Sequence, residues 1–364
     1  MKKKREGLRA GFTTGSAAAA AAKAALLYLG GKRGLKSVEI PLPEQGRLQI
    51  PVKTVERKGE AVKGVVIKDA GDDPDVTHKA EIWAIVRIDP LGRDGEVKVL
   101  GGKGVGRVTR PGLQVAVGKP AINPGPRAQI QNAVCEALQE TGLKGAVSVE
   151  LCVPKGEALA KKTLNPRLGI EGGISILGTR GTVIPFSHEA YKETITLGLD
   201  VAKAAGLDHV VLSTGGRSEK FVQKILKDLP QVAFIQMADF FAFSLKESAR
   251  RGFPQISISC FFGKLLKMAQ GHPYTHAHKC SIDFQRLARW CGEKGIGRAL
   301  AEEIKAANTA REALELIMKD PCAKGVIGTV VEKAMRVANG FVAPRTKVSY
   351  YLFSMEGELL AFSG

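Results

Sequence analysis

The sequence lacks any feature typical of a membrane or a secreted protein. No apolar run in its 364 residues approaches the length of a membrane-spanning helix, and charged residues interrupt the alanine-rich run near the start. The six cysteines are scattered and include no CxxC pair, which argues against a disulfide framework and against a zinc ribbon. We therefore expect a cytoplasmic protein with free thiols and no membrane partner.

Aromatic residues are also few, at 6% of the chain, whereas the formal net charge is +18. A charge of this size attracts polyanions, but the sequence contains no recognisable nucleic-acid-binding module and no basic-aromatic stripe. Two interpretations remain: binding of a small, multiply charged acid, or non-enzymatic binding of a polyanion such as RNA. A salt titration separates them, because nucleic-acid affinity falls steeply with salt.

The first part of the chain predicts short strands that follow one another, with helices outside the run. The strands are expected at residues 38–41, 48–56, 61–68 and 82–88, and helices before the run and at about 126–141. Strands in runs with segregated helices are typical of an α+β layer. We assign residues 1–165 to this α+β domain.

From about Gly172 the predicted strands and helices alternate. Strands are expected at residues 174–177, 209–212, 232–236 and 255–260, each followed by a helix. Apolar strands with helical connections predict a parallel sheet covered on both faces. After Gly271 the chain is mostly helical and ends in a predicted hairpin at 348–353 and 359–362. Residues 166–364 are therefore predicted to form a Rossmann-like α/β domain with a helical C-terminal extension.

A run of six alanines, Ala17–Ala22, follows a small polar turn near the start of the chain. Alanine is the best helix former, so a helix is expected there with Thr14 or Ser16 as its N-cap. Such a helix is thin, and its N-terminus presents free N–H groups that suit an anion. The helix either packs tightly against a sheet or binds a ligand at its first residues, which are Thr13, Thr14, Gly15 and Ser16.

Two glycine-rich turns follow predicted strands, where ligands lie in open α/β sheets. They are Gly178-Thr179-Arg180-Gly181 and Ser213-Thr214-Gly215-Gly216. Neither matches GxGxxG or a P-loop, so a nicotinamide cofactor or a nucleoside triphosphate is not indicated. Turn geometry alone would also explain each of them. Asp239 closes a third strand, where it could hold ribose hydroxyls or cap the next helix.

The loop "KDAGDDPDVTH" places four aspartates and a histidine between two strands of a basic protein. Crowded acids repel one another and shift one another's pKa. The purely structural interpretation is a chain of Asx turns around Gly71 and Pro74. A calcium loop would need a different spacing and a distal glutamate.

Arginines and histidines supply two further candidate sites. Glycine- and proline-rich stretches contain three arginines, Arg107, Arg110 and Arg127. Their guanidinium groups could bind carboxylates or simply lie in solvent. The segment "GHPYTHAHKC" offers His272, His276, His278 and Cys280, but proline resists the helix that would align the first two, and we predict no metal site.

Seven segments together resemble the signature blocks of the CbiD family. They occur in order from Leu8 to about Gly271, and they are "LRAGFTTGSAAAAAAKAA", "KDAGDDPDVTH", "GRVTRPGL", "AINPGPR", "AKKTLNPRLGIEGGISILGTRG", "LSTGGRSEK" and "GKLLKMAQG". Members of this family are cobalt-precorrin-5B (C-1)-methyltransferases of anaerobic cobalamin (vitamin B12) biosynthesis. The resemblance implies methyl transfer from S-adenosylmethionine to ring carbon C-1 of a cobalt-bound tetrapyrrole, giving cobalt-precorrin-6A. A methyltransferase for another precorrin intermediate is the second reading.

The resemblance suggests roles for the candidate residues. The substrate carries many carboxylates, which suits Arg107, Arg110, Arg127 and the start of the alanine helix, and its cobalt arrives with it. S-adenosylmethionine suits the two glycine turns and the aspartate after the third strand, that is Gly178, Thr179, Gly181, Thr214, Gly215, Gly216 and Asp239. A base must also take a proton from the macrocycle, and we expect Asp75 or His78, because acidic neighbours can raise a carboxyl pKa. The sequence leaves open whether the protein forms a homo-oligomer.

Overall fold

The computed structural model describes residues 7–363 and divides the chain into two compact units, Met1–His188 and Glu189–Gly364. This division lies later than the boundary at 165/166 expected from the sequence. Residues 166–188 belong to the first unit because their short strands pair with strands from its beginning and middle. Each unit is mixed α/β.

From residue 7 onward, the first unit contains many short strands and four α-helices. Its strands are β1 (Gly11–Phe12), β2 (Ser37–Pro41), β3 (Arg47–Pro51), β4 (Thr54–Lys58), β5 (Ala61–Ile67), β6 (Glu81–Asp89), β7 (Val97–Gly101), β8 (Gly104–Val105), β9 (Arg107–Val108), β10 (Ala146–Cys152), β11 (Ile170–Glu171), β12 (Gly173–Ile174) and β13 (Thr182–Val183). Its helices are α1 (Thr14–Leu29), α2 (Pro124–Thr141), α3 (Gly156–Ala160) and α4 (Asn165–Leu168).

The main sheet of this unit has the order β4-β5-β6-β10-β7. All neighbours are antiparallel except β10 and β7, which are parallel. Helix α1 packs against α2 and against β5 and β6, and every residue from Thr14 to Leu27 is buried. The alanines form the centre of the main hydrophobic cluster. The alanine run therefore permits close packing, which is the first of the two interpretations given above.

Two residues show how close this packing is. A Cβ added at Gly64 in β5 would overlap the carbonyl oxygen of Ala21, so only glycine lets the strand approach the helix backbone. Lys23 is buried as well, and its ammonium lies 2.6 Å from a carboxylate oxygen of Glu136 on α2. The ion pair joins the two helices across an interface to which the alanines contribute no polar side chain.

Two predicted strands of this unit differ from the observed ones. The strand expected at 48–56 is two strands, β3 and β4, because β3 pairs with β2 and β4 pairs with β5. The strand expected at 174–177 is only β12, which pairs with β8 in the first unit. It is therefore not the first strand of the parallel sheet, and that part of the prediction is wrong.

The second unit begins with helix α5 and contains the alternating segment. Its strands are β14 (His209–Ser213), β15 (Phe234–Gln236), β16 (Gln255–Phe261), β17 (Lys347–Phe353) and β18 (Leu359–Ser363). Its α-helices are α5 (His188–Ala204), α6 (Gly216–Ile225), α7 (Phe241–Arg250), α8 (Phe262–Ala269), α9 (Phe284–Glu293), α10 (Arg298–Ala306), α11 (Ala310–Ile317) and α12 (Ala323–Asn339), and a 3₁₀ turn at Gln231–Ala233 precedes β15.

The sheet of this unit has the order β15-β14-β16-β17-β18. The first four strands are parallel, and β18 pairs antiparallel with β17 as the predicted terminal hairpin. Chain order reverses at β14, because β15 adds on one side of it and β16 on the other. Parallel strands from the alternating segment are thus present, but they number three, and β17 from the C-terminal region supplies the fourth.

Both faces of this sheet are covered by helices. The Tyr350 hydroxyl lies 3.4 Å from the Ala334 carbonyl oxygen of α12 and 3.8 Å from the Met268 sulfur of α8. Its neighbours Tyr351 and Phe353 instead cluster with Val222 of α6. Since alternate residues of a strand point to opposite faces, α6 lies on one face and α8 and α12 on the other. Helix α12 from the C-terminal region thus covers one face of the sheet and is not an extension of the unit.

None of the helices within residues 7–363 is both long enough and apolar enough to cross a membrane.

Candidate functional site

The N-terminus of α1 is covered by the chain itself. Thr13 caps the helix by accepting a hydrogen bond from the Ser16 amide at 3.2 Å, and the Gly15 amide donates to the Leu177 carbonyl at 3.2 Å. The Thr14 hydroxyl also donates to the Leu177 carbonyl at 3.1 Å, and the Ser16 hydroxyl donates to the Gly181 carbonyl at 2.7 Å. The N-cap is therefore Thr13, and neither Thr14 nor Ser16, the two predicted caps, holds that position. These donors hold backbone carbonyls, so the polar turn has a structural explanation.

The first predicted glycine turn lies in the first unit, against this helix start. Gly178 has a φ of +136°, and a Cβ there would lie about 2.5 Å from the Thr13 side chain. Gly181 has a φ of +79°, and a Cβ there would lie 2.7 Å from Leu42. Both positions require glycine for packing. Gly178, Thr179 and Gly181 are thus placed beside α1 and not at the end of a strand of the parallel sheet.

The aspartate loop folds onto the same region. Asp69 forms an ion pair with Arg9 and closes an Asx turn by accepting the Gly71 amide at 2.9 Å. The Asp72 carboxylate accepts the Arg9 amide at 2.7 Å, and Asp73 accepts the Phe186 amide at 2.9 Å. The loop therefore connects the start of the unit to its end, because its aspartates accept hydrogen bonds from backbone amides and from an arginine.

Asp75 is the counter-ion of a buried lysine. The Lys68 side chain is 2% exposed and pairs with Asp75, whose carboxylate also accepts the Thr77 amide at 2.7 Å and the Thr77 hydroxyl at 2.6 Å. Burial acts to raise the pKa of Asp75, but the Lys68 charge and these hydrogen bonds outweigh it and the pKa lies below its usual value. The expectation that crowding raises this pKa is wrong, because the lysine and not the other aspartates controls it.

His78 lies at the end of the same loop. Its Nδ1 accepts the Ala70 amide at 3.1 Å and lies 3.8 Å from a carboxylate oxygen of Asp69. In the neutral ring this hydrogen bond places the proton on Nε2.

Two of the three predicted arginines line one open cavity of about 600 Å³ in the first unit. Its walls are Val99, Leu100, Arg107, Gln114, Val115, Gly118, Lys119, Pro120, Ile122, Pro124 and Arg127. The Arg127 guanidinium donates to the Val99 carbonyl at 2.9 Å, and that of Arg107 donates to the Gly118 carbonyl. The cavity is lined by three cationic side chains and several apolar ones, and by no carboxylate. This combination suits an apolar ligand bearing carboxylates.

Arg110 is placed elsewhere. The stem of its side chain packs over Gly169, where a Cβ would lie 2.5 Å from the Arg110 Cγ. No sequence feature distinguishes Arg110 from the other two arginines, because all three occur in similar loops. Lys119 lies in the cavity without having been identified beforehand, and its position between Gly118 and Pro120 carried no distinguishing signal.

The second glycine turn lies at the carboxyl edge of the parallel sheet. The Thr214 amide donates to the Ser259 carbonyl of β16 at 3.0 Å, so the turn lies where β14 and β16 end side by side. The connections from these two strands lead to opposite sides of the sheet, to β15 and to β17. This is the switch point at which ligands of open α/β sheets bind. A Cβ added at Gly215 would meet nothing within 4 Å, and one at Gly216 would meet only the Gln236 amide at 3.6 Å, so the space above the turn is open.

Asp239 lies near this edge and is held by an ion pair. Its carboxylate binds the Lys264 ammonium of α8 and accepts the Thr275 hydroxyl at 3.2 Å. The N-cap of α7 is Phe240, and no side-chain cap bond is made there. Asp239 is therefore not the cap of that helix, which was one of its two predicted roles.

The side chains of the histidine-rich segment contact one another, and the cysteines form no disulfide. The rings of Tyr274 and His276 stack with centroids 5.9 Å apart, and His276 Nδ1 accepts the His278 amide at 3.2 Å. No group of three His, Cys, Asp or Glu residues within 7–363 is arranged to hold a metal ion. All six cysteines are free, and burial raises the pKa of the Cys260 thiol to about 12.

Fold and site together define a two-unit α/β protein with a cationic cavity on one unit and an open strand-end switch point on the other. The family model for CbiD matches residues 1–185, and the model for the CbiD C-terminal domain matches residues 274–364. The chain belongs to the CbiD family.

Proteins named cobalt-precorrin-5B C(1)-methyltransferase are similar to this chain over nearly its whole length. The one from Nitratidesulfovibrio vulgaris is 49% identical and covers 97% of this chain and 92% of its own length. Those from Geobacillus kaustophilus and Thermus thermophilus are 44% and 42% identical, over 97% and 98% of this chain and 94% of their own lengths. A crystal structure of the cobalamin biosynthesis protein CbiD from Archaeoglobus fulgidus is 27% identical, covers 72% of this chain and 79% of that one, and has a TM-score of 0.38.

Proposed function

We propose that this protein methylates cobalt-precorrin-5B at ring carbon C-1, with S-adenosylmethionine as the methyl donor, in anaerobic cobalamin biosynthesis. The observation that carries the proposal is the 49% identity over 97% of the chain to a relative of that name. The free thiols of all six cysteines support a reducing, cytoplasmic location.

The cavity at Arg107 and Arg127 is our candidate for the tetrapyrrole substrate. A corrinoid precursor is flat and apolar in its ring and carries carboxylates at its edge. The cavity matches this chemistry, since its floor is apolar and its cations are Arg107, Lys119 and Arg127. Both arginines are already held by backbone carbonyls, so less side-chain freedom is lost when a carboxylate binds.

The switch point of the second unit is our candidate for S-adenosylmethionine, in a Rossmann-like role. Support comes from the position of Thr214, Gly215 and Gly216 between the ends of β14 and β16 and from the open space above the two glycines. The donor carries no phosphate, which is consistent with a turn that is not a P-loop. Asp239 stays a candidate for the ribose only if its pair with Lys264 rearranges.

Catalysis of the transfer consists mainly of positioning. The macrocycle carbon attacks the methyl group in line with its bond to sulfur, the electron pair of that bond remains on sulfur, and the sulfonium charge disappears. Holding two reactants in this geometry is worth roughly 7–11 kcal/mol of the barrier. Of the two predicted proton acceptors we propose His78, because a proton on Asp75 would leave the buried Lys68 ammonium without its counter-charge.

The test is an anaerobic assay of purified protein with S-adenosylmethionine and cobalt-precorrin-5B, in which mass spectrometry detects one added methyl group and NMR locates it. Arg127→Ala is expected to raise KM for the tetrapyrrole about tenfold or more with a smaller change in kcat, since a charge-assisted hydrogen bond is worth about 1.5–3 kcal/mol. Arg93→Ala, an exposed arginine in a turn outside the cavity, is the matched control.

The outcomes separate the alternatives. Methylation of a different precorrin, with none of cobalt-precorrin-5B, would assign the enzyme to another step. An unchanged KM in Arg127→Ala would exclude this cavity as the substrate site while leaving the reaction itself intact. For the proton acceptor, His78→Asn should lower kcat more than Asp75→Asn does at equal folded fraction.

A further inference from the structure

Two sequence motifs, "GKLLKMAQG" and "GHPYTHAHKC", come together in the second unit around the buried residue Thr275. The Thr275 carbonyl accepts hydrogen bonds from two ammonium groups of α8, those of Lys264 and Lys267, at 3.2 Å each. The Thr275 hydroxyl donates to the Asp239 carboxylate at 3.2 Å, and its amide donates to the Asp239 carbonyl at 3.0 Å. We call Asp239, Lys264, Lys267 and Thr275 the lysine cluster.

The side chains of the lysine cluster carry two positive charges and one negative charge. Lys264 forms an ion pair with Asp239, and their side chains are 29% and 19% exposed. Lys267 is 8% exposed and contacts the same carbonyl oxygen as Lys264, so the two ammonium groups lie close together and repel each other. A second negative group beside Lys264 would therefore be stabilised.

The lysine cluster lies at the carboxyl edge of the parallel sheet, as the second glycine turn does. Asp239 follows β15, and Lys264 lies in α8, which directly follows β16. Strand β14 lies between these two strands, and neighbouring strands are about 4.8 Å apart. The ion pair thus joins segments on the two sides of the strand from which the Thr214-Gly215-Gly216 turn leaves.

Tyr191 lies between the ion pair and this turn. Its hydroxyl donates to the Gln236 carbonyl at 3.4 Å, and the Gln236 side-chain amide is the group that a Cβ at Gly216 would meet. Burial raises the pKa of Tyr191, and the charges of Asp239 and Glu219 raise it further. A ligand as long as S-adenosylmethionine can therefore lie over the glycines and reach Asp239.

The amino-acid end of the donor matches an opened pair of Lys264 and Asp239. S-adenosylmethionine carries an α-carboxylate and an α-ammonium on the same carbon. When this zwitterion enters, one ion pair is replaced by two, so neither protein charge is left without a partner, which is what makes breaking a buried pair costly. The entering carboxylate also adds the second negative charge to the lysine cluster.

We propose that Lys264 binds the α-carboxylate of the methyl donor and Asp239 its α-ammonium, so that the lysine cluster selects ligands with a free amino-acid end. This inference rests on the proposed function and names the part of the donor that this edge recognises. In this arrangement Asp239 contacts the amino acid and not the ribose.

The experiment is calorimetric titration of the full chain with S-adenosylmethionine and with its decarboxylated form, which keeps the sulfonium and the ammonium. The wild type should bind the decarboxylated ligand about tenfold more weakly, because a charge-assisted hydrogen bond is lost. Lys264→Met should weaken S-adenosylmethionine binding about tenfold and bind the two ligands within about twofold of each other. Lys264→Arg, which keeps the charge, should retain most of the preference. Lys305→Met, at an exposed lysine of the second unit, should alter neither affinity.

A second pair of ligands tests Asp239. S-adenosylhomocysteine and 5′-methylthioadenosine share the adenine, the ribose and a neutral sulfur, but only the first carries the amino acid. Asp239→Asn should weaken S-adenosylhomocysteine binding about tenfold and 5′-methylthioadenosine binding by less than about twofold. Equal losses for both ligands would assign Asp239 to the ribose and overturn its role toward the ammonium.

The remaining outcomes separate this inference from the proposed function. Equal wild-type affinities for S-adenosylmethionine and its decarboxylated form, or a Lys264→Met protein that keeps the full preference, would overturn recognition of the carboxylate. Failure of the wild type to bind any of the four ligands would instead contradict the proposed function. Because the wild-type comparison needs no variant, the inference stays testable even if Lys264→Met does not fold.

Discussion

Replacing Glu136 by glutamine should destabilise the first unit, because it leaves a buried lysine without its carboxylate. Lys23 is 7% exposed and Glu136 is 31% exposed, and their charged atoms are 2.6 Å apart. Arg47 also binds Glu136, at 2.9 and 3.0 Å, but it is itself half exposed and can turn to water. The pair of Lys23 and Glu136 is therefore the contact whose loss matters.

The magnitude follows from the burial of the two groups. Removing one partner of a buried pair costs about 3–5 kcal/mol, and an exposed pair is worth about 0–1 kcal/mol. Since the lysine is buried and the glutamate only partly so, we expect Glu136→Gln to lower the free energy of unfolding by about 2–3 kcal/mol. The hydrogen bond from Arg47, helped by Lys23 and opposed by burial, lowers the pKa of Glu136 to about 2. The stabilisation is thus complete above about pH 4.5 and is lost as the pH falls toward 2.

The assay is urea denaturation followed by tryptophan fluorescence. The chain has two tryptophans, Trp83 in β6 and Trp290 in α9, so a Trp290→Phe background makes the signal report the first unit. In that background the double variant Lys23→Met with Glu136→Leu removes both charges. Its free energy of unfolding should lie within about 1 kcal/mol of that of the Trp290→Phe parent.

Glu96→Gln provides the matched control. Glu96 pairs with Lys98 on the surface, where their side chains are 40% and 66% exposed, so its loss should cost less than about 0.5 kcal/mol. A loss below about 1 kcal/mol in Glu136→Gln, or a double variant no more stable than that single one, would refute the assignment of Lys23 as a buried charge held by its partner.

Three further outcomes are expected. Gly64→Ala should destabilise the first unit by about 1–3 kcal/mol in the same urea assay, because its methyl group would overlap the Ala21 carbonyl; an unchanged midpoint would contradict the close approach. The hydrogen bond from Arg9 lowers the pKa of Asp69 to about 2, so the stabilisation from this ion pair should be present above about pH 4 and lost between pH 4 and 2. Because the pair is partly exposed, its contribution to the free energy of unfolding should be under about 1 kcal/mol, and it should be absent in Asp69→Asn. The Cys260 thiol, whose pKa is raised to about 12 by burial, should react with a thiol reagent at pH 8 only after unfolding, and labelling in native buffer would show that it is accessible.

The alternation of short apolar strands with helices predicted three strands of the second unit correctly, because their hydrophobic pattern is local. The fourth parallel strand, β17, was assigned only to a terminal hairpin. Its pairing with β16 brings together segments separated by five helices, α8 to α12, and the pattern of neighbouring residues does not predict such a contact. The same limitation explains residues 174–177, whose apolar pattern fits any strand; the strand that begins there, β12, pairs with β8 within the first unit.

For the candidate site, the chemical type of each residue was predictable from the sequence, but which residues lie next to one another in the fold was not. Arginines that suit carboxylates were identified by type, but the structure places Arg107 and Arg127 in one cavity and Arg110 over Gly169. Crowded aspartates suggested a raised pKa for Asp75, whereas Lys68, which begins the same motif, folds back onto it and lowers the pKa.

Composition and motif order were sufficient for the strongly basic character, the alanine helix, the second of the two strand-end glycine turns and the family, because each is a property of consecutive residues or of their sequence along the chain. Partner choice depended on the tertiary fold: which carbonyls accept hydrogen bonds from the start of α1, and which lysine neutralises Asp75. These contacts join residues distant in sequence, and their energies depend on burial and distance, which exist only once the chain has folded.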